Sequence, residues 1–203
     1  MATHVPQLES PFAHEPDIWP VRVGDDDFRL FCNGASLVAS MLEDIARARE
    51  HVWLEAYIFA DDHAGRAIAE ALKERARAGV EVRLIYDAFG CLGVRSSLFA
   101  EMEAAGVQVH AFHRFAELVT HPDFFTLFNR RDHRKLLSID GDVAYFGGMN
   151  IVDTRYLHTV EDVKQQGLPK SAGWRDLHAR VEGPSAHRVA QAFHRLWERV
   201  HRR

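Results

Sequence analysis

A chain of 203 residues, 47% hydrophobic and 27% charged, has the size and composition of one soluble globular domain. Its net charge of −4 argues against a dedicated nucleic-acid binder, which would carry a basic surface. Two cysteines, Cys32 and Cys91, exclude a disulfide framework, and no apolar run approaches the roughly 20 residues that span a bilayer.

Residues 1–24 contain Pro6, Pro11, Pro16 and Pro20 and read as an extended leader ahead of a single domain over 25–203. Nothing in it has the charged start and apolar run of a signal peptide, and the cysteine usage suits a reducing, cytoplasmic compartment. A strand is expected over 28–32, with Asn33-Gly34 as a turn. A helix follows over 36–49, where Val38, Met41, Leu42 and Ile45 make one apolar stripe. Residues 51–59 read as a central strand, apolar on both faces. Residues 63–78 read as a helix closed by Gly79, and 80–86 as another strand. A helix over 96–105 ends at Gly106, and a strand covers 107–112.

This alternation of strand and helix implies an α/β fold: a sandwich with helices on both faces of a mixed, largely parallel sheet. A long aromatic-rich connection then runs over 113–132. Two strands, 135–139 and 143–146, flank the turn Asp140-Gly141-Asp142. Residues 154–172 read as loop, 176–182 as a strand, and the last helix runs to about Val200 with Val189, Phe193 and Leu196 inward.

The chemistry concentrates in one segment. His133, Lys135 and Asp140 stand as H-x-K-x-x-x-x-D, followed by Gly147-Gly148-Met149-Asn150, and this arrangement occurs once. Residues two apart on a strand share a face, so His133 and Lys135 should point the same way. Glycines allow close backbone approach to a ligand, and the Asn150 amide can donate to a phosphate oxygen. A phosphodiester needs its charge neutralised before a nucleophile approaches. Lysine and asparagine donors can do this without a metal, and a neutral imidazole can attack phosphorus. A second histidine would protonate the leaving oxygen.

From His133 to Asp140 and on to Gly147-Gly148-Met149-Asn150, the chain resembles the HKD motif of the phospholipase D superfamily. The resemblance covers residues 28–200 and is strongest to the first half of bacterial cardiolipin synthases. It includes Leu54-Glu55-Ala56-Tyr57-Ile58-Phe59 with Asp61-Asp62, the segment 77–83, Asp87 with Phe89-Gly90, and Trp174-Arg175-Asp176 before Val181-Glu182-Gly183-Pro184. It implies a phospholipase D-like α/β/α sandwich carrying one HKD half. It also implies a phosphatidyltransferase or phosphodiesterase working through phosphohistidine, with no cofactor or metal. His133 would be nucleophile or acid/base partner, and Lys135, Gly147, Gly148 and Asn150 would bind phosphate. Asp176 would orient the histidine, and Asp140 would be mainly structural. Many members have serine where Gly148 stands, so one hydroxyl donor is missing. Typical cardiolipin synthases carry two such halves, so a two-fold dimer or a separate second half is expected to complete the site.

The substrate expected is phospholipid at the inner face of the cell membrane, reached peripherally. Phe124, Phe125, Leu127 and Phe128 beside Arg130 and Arg131 suit insertion at an anionic surface, but also a loop folded back on the core or covered in a subunit contact, which is the reading favoured. Two other readings compete: a single-motif homodimeric endonuclease of the same superfamily, and a non-catalytic phospholipid-binding half-domain. Glu55 shares a strand face with Trp53, Tyr57 and Phe59, where a carboxylate must be paired or functional; it is expected as a buried structural partner ahead of a direct role in the site. Asp87 suits either the rim of a cleft or a turn cap. His187, His194 and His201, seven apart on the last helix, read as a solvated face rather than metal ligands.

Overall fold

The computed structural model describes residues 18–92, 94–112, 133–153 and 176–201. Expectations about the leader before Ile18 and the connections 113–132 and 154–175 lie outside these residues.

The chain opens with a hairpin, β1 (Ile18–Val23) and β2 (Asp26–Phe31), turning at Gly24 with φ +64°. The end of the expected leader is therefore an edge strand, paired antiparallel to β2. Asn33 does not make a free turn but caps α1 (Gly34–Arg47), its side chain accepting from the Ala35 N–H at 2.7 Å. Strand β3 (His51–Ala56), helix α2 (His63–Arg77), strand β4 (Glu81–Asp87), helix α3 (Ser96–Ala104) and strand β5 (Gln108–Phe112) follow in the order expected. Strands β6 (Leu136–Ile139) and β7 (Val143–Gly147) form a hairpin, β8 (His178–Glu182) follows, and α4 (Ala186–His201) comes last. The β6–β7 turn has Asp140 at φ +53° and Gly141 at φ +78°, the two positive values a tight hairpin needs from an Asp-Gly pair.

All eight strands make one sheet in the order β1-β2-β8-β7-β6-β3-β4-β5. The mixed sandwich is as expected, but the parallel emphasis is corrected. Among the described strands only β3–β4 and β4–β5 pair parallel, and the other five pairings are antiparallel. The reason lies in the connections. Helices α2 and α3 are crossovers, which return the chain to run the same way, whereas β1–β2 and β6–β7 are hairpins.

Alternating side chains send β3 into two cores. Val52, Leu54 and Ala56 face α1, α2 and α3, packing with Met41, Ile45, Ile68, Leu72 and Met102. On the other face Trp53 meets Phe193, Leu196 and Trp197 of α4. Each of those three α4 side chains is nearly fully buried and contributes roughly 2 kcal/mol by removal from water. His187, His194 and His201 are exposed as expected, with the His194 ring against Trp53 and the His201 ring stacked on Trp197 at 4.2 Å. Among the described residues no helix is long and apolar enough to cross a membrane.

Candidate active site

Antiparallel register gathers the motif at one end of the sheet. Glu55 pairs with Leu136, Leu136 with Phe146, and Gly147 with His178. The C-terminal ends of β3 and β7 therefore meet the N-terminal ends of β6 and β8.

His133 and Lys135 precede β6 and come together as expected. Lys135 Nζ lies 3.2 Å from His133 Nδ1 and donates to the His133 carbonyl at 2.8 Å. An ammonium can only donate, so Nδ1 accepts and the proton of a neutral His133 ring sits on Nε2. Lys135 is 6% exposed, whereas His133 is open to solvent. The Tyr57 ring lies beneath both, 4.4 Å from the His133 ring and 4.9 Å from the ammonium. That ring face attracts the cation and limits where the imidazole can turn.

Tyr57 is held in turn by a buried thiol. Cys91 donates to the Tyr57 carbonyl and accepts from the Phe59 N–H. Burial pushes the Cys91 pKa up to about 11, so it stays a neutral donor. Asn150 completes this wall. Its Oδ1 takes the Ile58 N–H at 3.3 Å, which leaves Nδ2 as the group it can offer an anion. Ile151 then pairs with Phe59 as an isolated parallel bridge, and Asp62, the cap of α2, also takes the Asp153 N–H at 2.6 Å.

Asp140 is not in the site. Its carboxylate accepts from the N–H groups of Arg49, Glu50 and His51 at 2.8–2.9 Å, at the opposite end of β3. Burial raises its pKa, but those three hydrogen bonds outweigh this and hold it below the usual carboxylate value.

Asp176 lies just before β8 against the glycine pair. A Cβ built on Gly148 would stand 2.7 Å from Asp176 Oδ1, so the small residue admits the carboxylate. No hydrogen bond joins Asp176 to His133 among the described residues. Gly147 is tighter still, because its Cβ would lie 2.4 Å from the Leu177 carbonyl oxygen and 2.6 Å from His178 Cα. Backbone cannot yield there as a side-chain tip can. Gly147→Ala should therefore destabilise the chain by about 1–3 kcal/mol, measured by urea unfolding. An unchanged midpoint would show that β7 and β8 are free to part.

Glu55 is buried as expected, 2% exposed, and held in an ion pair at 3.0 Å, although its partner Arg134 is itself exposed. Asp87 proves a turn cap, accepting from the Phe89 and Gly90 N–H groups at 2.9 Å each.

Two residues were not anticipated as site residues, Tyr57 and His178. His178 is 1% exposed and lines a crevice with Lys135, Glu55, Met41 and Met149. Burial, with the Lys135 charge adding to it, holds its pKa down at about 4. Its spacing offered a clue, since it stands two residues beyond Asp176 as Lys135 stands two beyond His133. Among the described residues no group of three or more His, Cys, Asp or Glu could hold a metal ion.

Residues 41–164 match the family model described as "Cardiolipin synthase, PLD-like domain". Cardiolipin synthase 1 of Staphylococcus epidermidis is 40% identical over 154 residues, covering 76% of this chain and 29% of that protein. Major cardiolipin synthase ClsA of Bacillus subtilis is 35% identical over 177 residues, covering 87% of this chain and 34% of that protein. The chain thus spans about a third of the length of these relatives. Among solved structures, NucT from Helicobacter pylori superposes with a TM-score of 0.60 at 16% identity, over 86% of this chain and 97% of its own, a likeness of fold. With more than half of the chain, residues 41–164, matched by the family model and the motif gathered at one end of a common sheet, the chain belongs to the phospholipase D-like domain family of the cardiolipin synthases.

Proposed function

We propose that the chain is half of a cardiolipin synthase-like phosphatidyltransferase site that cleaves a phosphodiester through His133. The observation that carries this is the meeting of His133, Lys135, Asn150 and Asp176 at one sheet end, in a chain of this family. Lys135 and the Asn150 amide neutralise the non-bridging oxygens. The imidazole Nε2 then attacks phosphorus, the bond to the leaving alcohol breaks, and a phosphohistidine forms. Attack requires Nε2 to carry a lone pair, so the ring proton must shift to Nδ1. Lys135 must leave Nδ1 for the phosphate, and Asp176 is the nearby carboxylate that can then accept from it. An acceptor hydroxyl, or water, finally attacks the phosphohistidine and restores the imidazole.

A second imidazole must protonate the leaving oxygen and later take the acceptor's proton. A two-fold dimer supplies it, because a residue near the axis meets its own copy, and a second HKD half serves equally. The substrate is phospholipid at a membrane surface, reached peripherally.

Radiolabelled phospholipid in vesicles should leave acid-labile label on His133 after a rapid quench, and radiolabelled DNA should leave none. Label from DNA alone would favour the endonuclease reading. Label from neither would favour the binding half-domain. EDTA should leave the rate unchanged, and a loss that zinc or magnesium restores would overturn the metal-free route. Light scattering tests assembly: turnover should follow the dimer or a complex with a second half, and an active strict monomer would sink that arrangement.

A further inference from the structure

His178 is an anomaly on energetic grounds. Its imidazole is 1% exposed, and among the described residues neither ring nitrogen has a hydrogen-bond partner. A buried polar group left unsatisfied costs about 1–3 kcal/mol, and a leucine or methionine of similar volume would avoid that cost. The ring packs close against Gly147, where an added Cβ would stand 3.0 Å from its Cγ. It shares its crevice with Lys135, whose charge it feels.

Lys135 in turn has a coordination problem during the reaction. In the free chain its ammonium donates to the His133 carbonyl and sits at His133 Nδ1. The contact with Nδ1, one of several that Lys135 makes, is given up when the ammonium turns to a phosphate oxygen. An ammonium has three donors, and in a site this buried each needs an acceptor. A neutral imidazole carries one lone pair able to accept. A protonated ring could not accept and would repel the ammonium.

We infer that His178 is a positioning residue for Lys135: when the ammonium leaves His133 for a phosphate oxygen, a ring nitrogen of His178 accepts one of its hydrogens and holds it on the phosphate. This rests on the assignment of Lys135 to phosphate proposed above.

The test is inorganic phosphate binding to the full chain, with turnover and thermal stability measured alongside. His178→Leu removes an unpartnered imidazole, so the melting temperature should hold or rise. Phosphate should nevertheless bind about tenfold more weakly or worse, with a similar fall in turnover. His178→Gln, whose side-chain oxygen can accept from an ammonium, should recover most of the binding. A merely structural residue would instead lose stability and binding together, which would overturn the proposal. Unaltered phosphate binding in His178→Leu, with binding lost in Lys135→Ala, would overturn the His178 role alone. Unaltered binding in Lys135→Ala would overturn the phosphate assignment and the His178 role with it. Should His178→Leu fail to fold, the ring nitrogen signals of the unmodified chain decide. In nitrogen-15 NMR those of His178 should move as phosphate saturates the site, and fixed signals would overturn the proposal.

Discussion

His133→Ala should lower phosphodiester turnover on the order of ten-thousand-fold while leaving the melting temperature nearly unchanged. The size follows from the step that is lost. Without the imidazole there is no covalent intermediate, and only charge neutralisation by Lys135 and Asn150 remains. The small stability effect follows from exposure. The His133 ring is open to solvent, its one aromatic neighbour among the described residues is Tyr57, and its backbone carbonyl still accepts from Lys135. A rapid-quench experiment should find no labelled histidine in this variant. Retained turnover within tenfold of the parent would remove His133 as nucleophile.

Asp140→Ala should do the reverse: stability falls by about 2–4 kcal/mol, while the folded fraction keeps most of its activity. Three backbone N–H groups at the start of β3 lose their acceptor together. Each bond to a charged oxygen is worth about 1.5–3 kcal/mol, but Arg49 and Glu50 lie at the surface, where water replaces part of it. The melting temperature should drop by roughly 5–15 °C. Acid should mimic the substitution. The folded pKa of Asp140 is below its unfolded value, so its contribution is whole above about pH 4 and is lost as pH falls through the lower folded value. The parent should therefore lose stability over that acid range more steeply than Asp140→Ala. Parallel pH profiles for the two proteins would show that the carboxylate does not hold β3.

These two expectations divide a motif that reads as one unit in the sequence. His133 and Lys135 are two residues apart and meet at the site, where Lys135 donates to the His133 carbonyl. Asp140 lies across the length of β6 from them, so it can only serve the far end of β3. Its part in the turn was legible, because Asp-Gly pairs accept the positive φ values a tight hairpin imposes. Its three backbone partners were not, because they sit some ninety residues earlier in the chain.

Local signals were read well where the physics is local. Apolar spacing marked α1, α2 and α4, and glycines marked the ends of α2 and α3, where Gly79 and Gly106 take φ +88° and +98°. Motif spacing singled out His133, Lys135 and Asn150, the family resemblance added Asp176, and the fold brings all four to one end of the sheet. The tertiary structure decided what depends on pairing between distant segments. β8 enters between β2 and β7, which makes most of the sheet antiparallel and brings Asp176 and His178 to the glycine pair. Pairing order is set by burying two faces of one sheet at once, and no single strand's pattern states which neighbour it will choose. For the same reason the sequence alone offers Lys135 as a candidate phosphate cation, but only the fold shows it beside Tyr57 and His133 and sharing a crevice with a buried imidazole that has no hydrogen-bond partner among the described residues.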